Sequence, residues 1–184
     1  MSASLAALEH ALGHAFSRRD LLVTALTHSS FANERGEAAG HNERLEFLGD
    51  AFIGAITSEF LYERDTHADE GRLSKRRARL VSRSLLGRRA LEMDLGELLL
   101  LGRGERETGG RQRLSTLGSA LEALVGIIYL RLGFDAARSF VRRHILETLT
   151  HLTAAELAQG DFKSTLQEWA QQRYKTVPTY TRLG

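Results

Sequence analysis

Three carboxylates occur at helical spacing in the segment HNERLEFLGD, residues 41–50. Glu43, Glu46 and Asp50 are separated by three and then four residues, so an α-helix would place them along one narrow stripe over roughly 10 Å. Asn42 precedes them and is a favourable N-cap residue. Like charges at this spacing repel one another, and a bound cation would relieve that repulsion.

A fourth carboxylate, Glu122, occurs far away in the apolar segment LGSALEALVGIIYL. A carboxylate on so apolar a helix needs a partner if it is buried. Acidic residues from two helices, with no His or Cys among them, suit a hard, oxygen-seeking ion such as magnesium. By composition alone, a solvated helix face is the more common role for an acidic stripe, so this pattern leaves both interpretations open.

The elements that must position these carboxylates are helical. Apolar residues in 1–158 recur at helical rather than alternating spacing, and the only proline is Pro178. The pattern predicts an all-α fold, with helix-breaking connectors at 33–40, 67–71 and 102–110. The predicted helices lie near residues 3–12, 18–27, 42–64, 71–92, 111–132 and 134–157.

The C-terminal part of the chain differs in composition from the rest. Residues 158–162, AQGDF, are predicted to form a linker between a first domain, residues 1–157, and a second unit, residues 163–184. That unit contains the amphipathic stretch KSTLQEWAQQR and then VPTYTRL, which could begin a strand. About two dozen residues bury too little surface to fold alone, so the sequence predicts an incomplete second domain.

Composition excludes several classes of protein. The chain has no cysteine, which excludes a disulfide scaffold, thiolate metal sites and a cysteine nucleophile. Hydrophobic residues make up 42%, enough for a packed core. The N-terminus lacks a signal-peptide pattern, and the apolar run at 98–101 is too short for a bilayer, so we expect a soluble, cytoplasmic protein without a membrane partner.

NERLEFLGD, residues 42–50, resembles the signature of the ribonuclease III family, and further segments match that family in order. The resemblance implies the family's helical endonuclease domain for the first domain. DFKSTLQEWAQQR, with Pro178 and Tyr180, is similar to the start of its α/β double-stranded-RNA-binding domain, so the resemblance covers essentially the whole chain. The other matching segments are LLVTALTHSS (21–30), DEGRLSKRRARLVS (69–82), LGRGERETGGRQR (101–113) and LEALVGIIYL (121–130).

The resemblance implies an activity and a set of site residues. The implied enzyme hydrolyses double-stranded RNA with a metal-activated water, leaves 5′ phosphate and 3′ hydroxyl ends, and acts in ribosomal and messenger RNA processing. Glu46, Asp50 and Glu122 are the implied Mg²⁺ ligands, with Asp50 and Glu122 nearest the reaction and Mn²⁺ as a substitute ion. Glu43 and Glu70 match supporting acidic positions.

Two departures from the family pattern leave an alternative open. Ser119 stands where the family usually has an aspartate ligand, and the RNA-binding domain stops before its later basic helix. The alternative is a catalytically weak or silent double-stranded-RNA-binding protein of the same fold. The intact Glu46, Asp50 and Glu122 favour the enzyme.

Basic segments supply candidate RNA contacts. Residues 72–83 carry six basic side chains over about three helical turns, and double-helical RNA is recognised largely through phosphates and 2′-hydroxyls. The glycine-rich segment 102–111 could bring amides and arginines to phosphate, although such loops are more often simple turns. The predicted RNA-binding residues are Arg72, Lys75, Arg76, Arg79 and Arg111; an ordinary salt-bridged helix is the alternative for the first four.

Phe47 and His28 also have competing interpretations. Core packing is the usual fate of a phenylalanine, whereas the resemblance implies that Phe47 inserts into a pocket of a partner in a homodimer. Two active sites related by a two-fold axis would then make one cut in each RNA strand. His28, in THSS, is predicted to cap or pack rather than to act as a general base, because metal-activated water needs no histidine base.

Overall fold

The structure is a computed structural model that describes residues 19–36, 40–149 and 173. The chain divides into two units, Met1–Leu149 and Thr150–Gly184, and the elements below belong to the first. The described residues form no β-strand, so the predicted all-α class is confirmed. The helices are α1 (Arg19–Ala25), α2 (Ser29–Arg35), α3 (Glu43–Arg64), α4 (Glu70–Leu80), α5 (Arg83–Glu92), α6 (Leu95–Leu98), α7 (Arg103–Glu107), α8 (Leu114–Leu132), α9 (Phe134–Val141) and α10 (Glu147–Leu149), with a 3₁₀ turn at Gly110–Gln112 and π-helical turns at Arg142–Leu146.

Helix α8 is the centre of the fold. Leu121, Leu124 and Ile127 on this helix are fully buried, and α3 and α5 pack along its sides. By length and composition α8 could span a membrane, but 67% of its apolar window is buried among other parts of the protein. Its apolar sequence is therefore that of a core helix.

Glycines allow the helices to approach α8 backbone to backbone. A Cβ atom at Gly49 of α3 would lie 1.7 Å from the carbonyl oxygen of Glu122, and one at Gly126 would lie 2.4 Å from that of Leu45. On the other side, a Cβ at Gly87 of α5 would lie 2.1 Å from the carbonyl oxygen of Leu114. No residue other than glycine fits at these contacts without a backbone shift.

Short backbone hydrogen bonds fix the start of α3. The parallel bridge between Thr27 and Leu100 is accompanied by a 3.0 Å bond from the His28 amide to the Leu100 carbonyl. The Asn42 amide donates to the Thr27 carbonyl at 2.9 Å. Asn42 occupies the predicted N-cap position but makes no side-chain capping bond.

The structure places His28 at the N-cap of α2. Its Nδ1 atom accepts a hydrogen bond from the Ser30 amide at 3.2 Å and lies 2.8 Å from the Ser30 hydroxyl. The capping role predicted for His28 is confirmed.

Two predicted helices differ from the observed ones. The predicted helix 71–92 is wrong as a single element, because Ser82 adopts an extended conformation and becomes the N-cap of α5. Leu80 before the break and Leu85 and Leu86 after it are all buried. The predicted helix 134–157 begins correctly after Gly133, whose φ of +85° ends α8, but passes through the π-helical turns.

Two predicted connectors contain helices. Residues 33–40 include the end of α2, and residues 102–110 include α7. Tertiary hydrogen bonds stabilise these short helices, since the Arg103 amide donates to the Glu34 carboxylate at 2.7 Å and the Gly102 amide to the Ser30 hydroxyl at 3.0 Å. The described residues do not include the predicted helix 3–12, the last part of the predicted helix 134–157 (residues 150–157), the linker 158–162 or, apart from Arg173, the segment 163–184.

Candidate metal centre

A cavity of about 370 Å³ opens where α3, α5 and α8 meet. Three of the four carboxylates on its wall, Glu43, Glu46 and Asp50, come from the first two turns of α3, and Glu122 comes from α8. The structure therefore brings together the four acidic residues that the sequence singled out on two helices. The lining residues are Glu43, Glu46, Phe47, Asp50, Val81, Arg83 and Glu122.

Glu122 is the buried carboxylate of the cavity, with only 3% of its surface exposed. The pKa of Glu122 is raised to about 7, first by burial and then by the nearby Asp50 and Glu46 carboxylates, against a smaller lowering by Arg83. Its charged form is thus poorly compensated by the protein itself. A bound cation would favour that form.

Glu46 has two donors on one oxygen. Its Oε1 atom accepts a hydrogen bond from the Ser119 hydroxyl at 3.0 Å and one from Arg83 Nη2 at 3.0 Å. Ser119 precedes Glu122 by about one turn of α8, and its hydrogen bond places it beside Glu46 on the wall of the cavity.

The donor set of the cavity fits a hard divalent cation. It consists of carboxylate and hydroxyl oxygens, the ligands that Mg²⁺ prefers, and Mg²⁺ usually keeps several waters instead of filling its shell with protein atoms. In the described part of the chain, no three acidic or imidazole side chains are already arranged to hold a metal ion. The four carboxylates instead line an open cavity, and one of them, Glu46, is bound by Arg83.

Glu70 lies elsewhere in the protomer. It belongs to a second cavity, of about 450 Å³, between α3 and α4, where Tyr62, Leu73 and Arg77 are neighbours. The Ser74 hydroxyl donates to its Oε1 atom at 2.6 Å. Within one protomer, Glu70 is therefore not in the same cavity as the other four carboxylates.

The arginine-rich segment serves several purposes in the structure. Arg76 forms an ion pair with Asp65, and Arg77 donates to the Ser58 hydroxyl at 3.2 Å. Arg111, from the glycine-rich segment, is half-buried and donates to the Gly96 carbonyl. The candidates Arg72, Lys75 and Arg79 are exposed on α4.

Arg83 was not separated from the other basic residues by sequence reasoning. A continuous helix over 71–92 would place it on the same face as Arg72, eleven residues earlier. Because the chain breaks before α5, Arg83 instead points into the carboxylate cavity. The serine at position 82, a favoured N-cap residue, was the available signal for that break.

Phe47 is an exposed aromatic residue on the rim of the cavity. Its side chain is 80% exposed, so the core-packing interpretation is wrong. Along α3, it begins a stripe of exposed or half-buried apolar residues that ends at Tyr62, which is 75% exposed. The stripe consists of Phe47, Ala51, Gly54, Ala55 and Tyr62.

The fold and the cavity define a class of protein: an all-α domain in which carboxylates from two helices face a common oxygen-lined site. A family model described as Ribonuclease-III-like matches residues 18–149. The chain is 45% identical over 177 residues to Ribonuclease 3 of Bdellovibrio bacteriovorus, covering 96% of this chain and 76% of the relative. It is 47% identical to Ribonuclease 3 of Oleidesulfovibrio alaskensis, covering 96% and 77%.

Solved structures agree with these relatives. One is the nuclease domain of ribonuclease III from Campylobacter jejuni, described for structural flexibility in its region involved in dimer formation. Its TM-score to this chain is 0.72 at 38% sequence identity, and the match covers 78% of this chain and 96% of that chain. A second structure of that domain also has a TM-score of 0.72, at 37% identity. The chain belongs to the ribonuclease III family of endoribonucleases.

Proposed function

We propose that the chain is a magnesium-dependent endonuclease that hydrolyses phosphodiester bonds of double-stranded RNA and leaves 5′ phosphate and 3′ hydroxyl ends. The observation that carries this proposal is the buried Glu122 carboxylate facing Asp50 and Glu46 across one cavity. A site of this kind needs a cation, and a phosphodiester is a substrate that a cation can activate.

The side chains have separate roles in this mechanism. Asp50 and Glu122 are the proposed ligands closest to the reacting phosphate, and Glu46 completes the set with the Ser119 hydroxyl. Mg²⁺, or Mn²⁺ in its place, would supply positive charge at the phosphate and an activated water. Burial of Glu122 excludes bulk water from one side of the site and strengthens its electrostatic interactions.

The exposed basic residues of α4 are the proposed contacts to the RNA backbone. Arg72, Lys75 and Arg79 face solvent, and Arg76 can contribute from its ion pair with Asp65. Arg111 is the least favourable of the predicted contacts, since its guanidinium is bound to the Gly96 carbonyl. Ribosomal and messenger RNA processing in the cytoplasm is the proposed setting.

We expect the enzyme to act as a homodimer through the apolar stripe of α3. Small residues, Ala51, Gly54 and Ala55, lie in the middle of the stripe, and a Cβ at Gly54 would meet nothing within 4 Å. Two copies of α3 that cross antiparallel at this point would bring Phe47 of each protomer towards the cavity near Tyr62 in the other. The cavity that holds Glu70 would then lie beside the partner's carboxylates, in keeping with a supporting role for Glu70.

The domain organisation remains part of the proposal. Residues 1–157 would form the nuclease domain, and 158–162 would connect it to residues 163–184, the start of a double-stranded-RNA-binding domain. The second candidate function is a catalytically weak or silent RNA-binding protein of the same fold. Ser119, a neutral side chain hydrogen-bonded to Glu46, is the observation that favours it.

The proposal is tested by incubating the purified chain with a long RNA duplex, with and without Mg²⁺. Glu122→Gln keeps the side-chain shape but removes the charge, so cleavage should fall by orders of magnitude while duplex binding in a gel-shift assay is retained. Glu97→Gln, the same change at an exposed position of α6, is the matched control and should cut normally. Normal cleavage by Glu122→Gln contradicts the site, and a wild type that binds but never cuts supports the second candidate.

A further inference from the structure

Arg83 is the basic side chain that lines the carboxylate cavity in the described residues. It is the first residue of α5, and its Nη2 atom donates to Glu46 Oε1 at 3.0 Å. The Glu46 side chain is only 17% exposed, whereas that of Arg83 is 65% exposed. The Arg83 guanidinium therefore reaches into the site from solvent and binds the Glu46 carboxylate, which is largely shielded from solvent.

The position of Arg83 is determined by helix packing. A Cβ at Gly118 of α8 would lie 2.9 Å from the carbonyl oxygen of Arg83. One turn further along α5, a Cβ at Gly87 would lie even closer to α8, 2.1 Å from the carbonyl oxygen of Leu114. The backbone of Arg83 is thus held against α8 at Gly118, four residues or about one helical turn before Glu122. The reach of the guanidinium into the cavity follows from that packing.

The charge of Arg83 acts on the rest of the site as well as on Glu46. Of the charged neighbours that influence the Glu122 carboxylate, Arg83 is the one that favours its ionised form. The other donor on Glu46 Oε1, the Ser119 hydroxyl, is neutral. The protein thus supplies one positive charge to a cavity lined by four carboxylates.

We infer that Arg83 is a positioning residue that occupies a cation position of the site and competes with a divalent ion for Glu46. This inference rests on the proposed metal site. One carboxylate oxygen that is already engaged by a guanidinium and a hydroxyl must release or share these donors before it binds a metal ion. The positive charge of Arg83 also repels a divalent ion that approaches the cavity. The wild-type chain therefore binds divalent ions more weakly than its carboxylates alone would allow.

The test is a titration of the full-length, RNA-free protein with MnCl₂, in which electron paramagnetic resonance reports the free ion. Removing the charge in Arg83→Gln should tighten Mn²⁺ binding by on the order of tenfold, the scale expected for a nearby charge in partly solvated surroundings. Arg83→Lys, which keeps the charge, should stay close to wild type. Ser119→Ala, which removes a neutral donor from the same oxygen, should not tighten Mn²⁺ binding as Arg83→Gln does, because it removes no positive charge.

Arg131→Gln is the matched control, since it removes the same charge from an exposed site on α8, nine residues and about 13 Å of helix beyond Glu122. Unchanged or weaker binding by Arg83→Gln, with a folded circular dichroism spectrum, overturns the inference. An equal gain in Arg131→Gln also overturns it, because the effect would then be one of net charge. If Glu122→Gln binds Mn²⁺ as well as wild type, the proposed metal site itself is wrong, and that result is distinct from a failure of Arg83.

Discussion

At the scale of single residues, Ser119 controls how much negative charge the cavity offers. Its hydroxyl donates to Glu46, so it orients that carboxylate but contributes no charge to a cation. A carboxylate at the same place would lie beside Glu46 and one turn from Glu122. It would add attraction for a metal ion and repulsion in its absence.

We predict that Ser119→Asp lowers the Mg²⁺ concentration needed for half-maximal cleavage, on the order of tenfold for one added nearby charge. Mg²⁺ titrations of cleavage of one RNA duplex would measure the shift, with Ser119→Asn as the uncharged control of similar size. In EDTA, the same variant should unfold at a lower denaturant concentration than wild type. If wild type and Ser119→Asp have equal midpoints in the Mg²⁺ titration and also in the denaturant titration, Ser119 lies outside the metal shell.

Glu122 makes the stability of the metal-free protein depend on pH. Its pKa is about 7 in the folded chain, against an ordinary value of 4.5 for a glutamate in the unfolded chain, so between these values the native state holds a proton that the unfolded state has lost. Stability from this group is therefore fully present below about pH 4.5 and lost as the pH rises to about 7, by roughly 3 kcal/mol in total.

The measurement is the free energy of unfolding in EDTA at several pH values, for wild type and for Glu122→Gln. As the pH rises, the free energy of unfolding of wild type should fall relative to that of Glu122→Gln, because glutamine carries no titrating charge. Saturating Mg²⁺ should reduce this dependence, since the ion favours the charged carboxylate. A difference that is constant from pH 4.5 to 7 would contradict the pKa assigned to Glu122.

The sequence predicted the acidic residues better than the basic ones. Glu43, Glu46 and Asp50 share a continuous helix, so their spacing alone placed them on one wall. Arg83 could not be placed in this way, because its location depends on where the chain leaves α4. That break occurs at Ser82, which is extended and N-caps α5, and the helical spacing of the basic residues does not reveal it.

At the scale of elements, the site depends on the contact between α3 and α8. The Glu122 carbonyl lies where a Cβ of residue 49 would be, so the two backbones touch directly beneath the carboxylates. The sequence predicted both helices, since their apolar spacing is regular. It did not predict their close approach, because a glycine inside a helix pattern does not reveal which partner it faces.

We predict that Gly49→Ala destabilises the protein by about 3 kcal/mol or more, because overpacking against backbone cannot be relieved by a rotamer change. Chemical unfolding followed by circular dichroism would measure it. Gly104→Ala is the control, since a Cβ there meets nothing within 4 Å and alanine favours the helix. A Gly49→Ala variant as stable as wild type would show that α3 and α8 are further apart than described.

At the scale of the whole molecule, the exposed stripe of α3 is the proposed dimer contact. Phe47 makes little contact within its own protomer, so Phe47→Ala should leave the stability of the isolated monomer within about 0.5 kcal/mol of wild type. In the dimer it should raise the dissociation constant by roughly a hundredfold, as removal of a buried aromatic side chain does.

Analytical ultracentrifugation over a concentration series would measure that dissociation. Gly54→Leu is a second variant at the proposed crossing point, where an added Cβ meets nothing within 4 Å in the monomer but a larger side chain would separate two crossing helices. Leu91→Ala, at an exposed apolar residue of α5 outside the stripe, is the control. A wild-type chain that sediments as a monomer at micromolar concentration would exclude this assembly.

The backbone contact at Gly49 has a consequence for how the enzyme can evolve. The distance between the two acidic walls is determined by main-chain atoms, which every sequence shares, and not by the bulk of side chains packed between them. Core residues such as Leu121 or Ile53 can therefore drift to other apolar types, provided their volume is conserved, without moving the carboxylates apart. Conversely, the cleft could be widened for a larger ion by replacing Gly49 or Gly126, the glycines at the contact between α3 and α8. Such a replacement would cost stability.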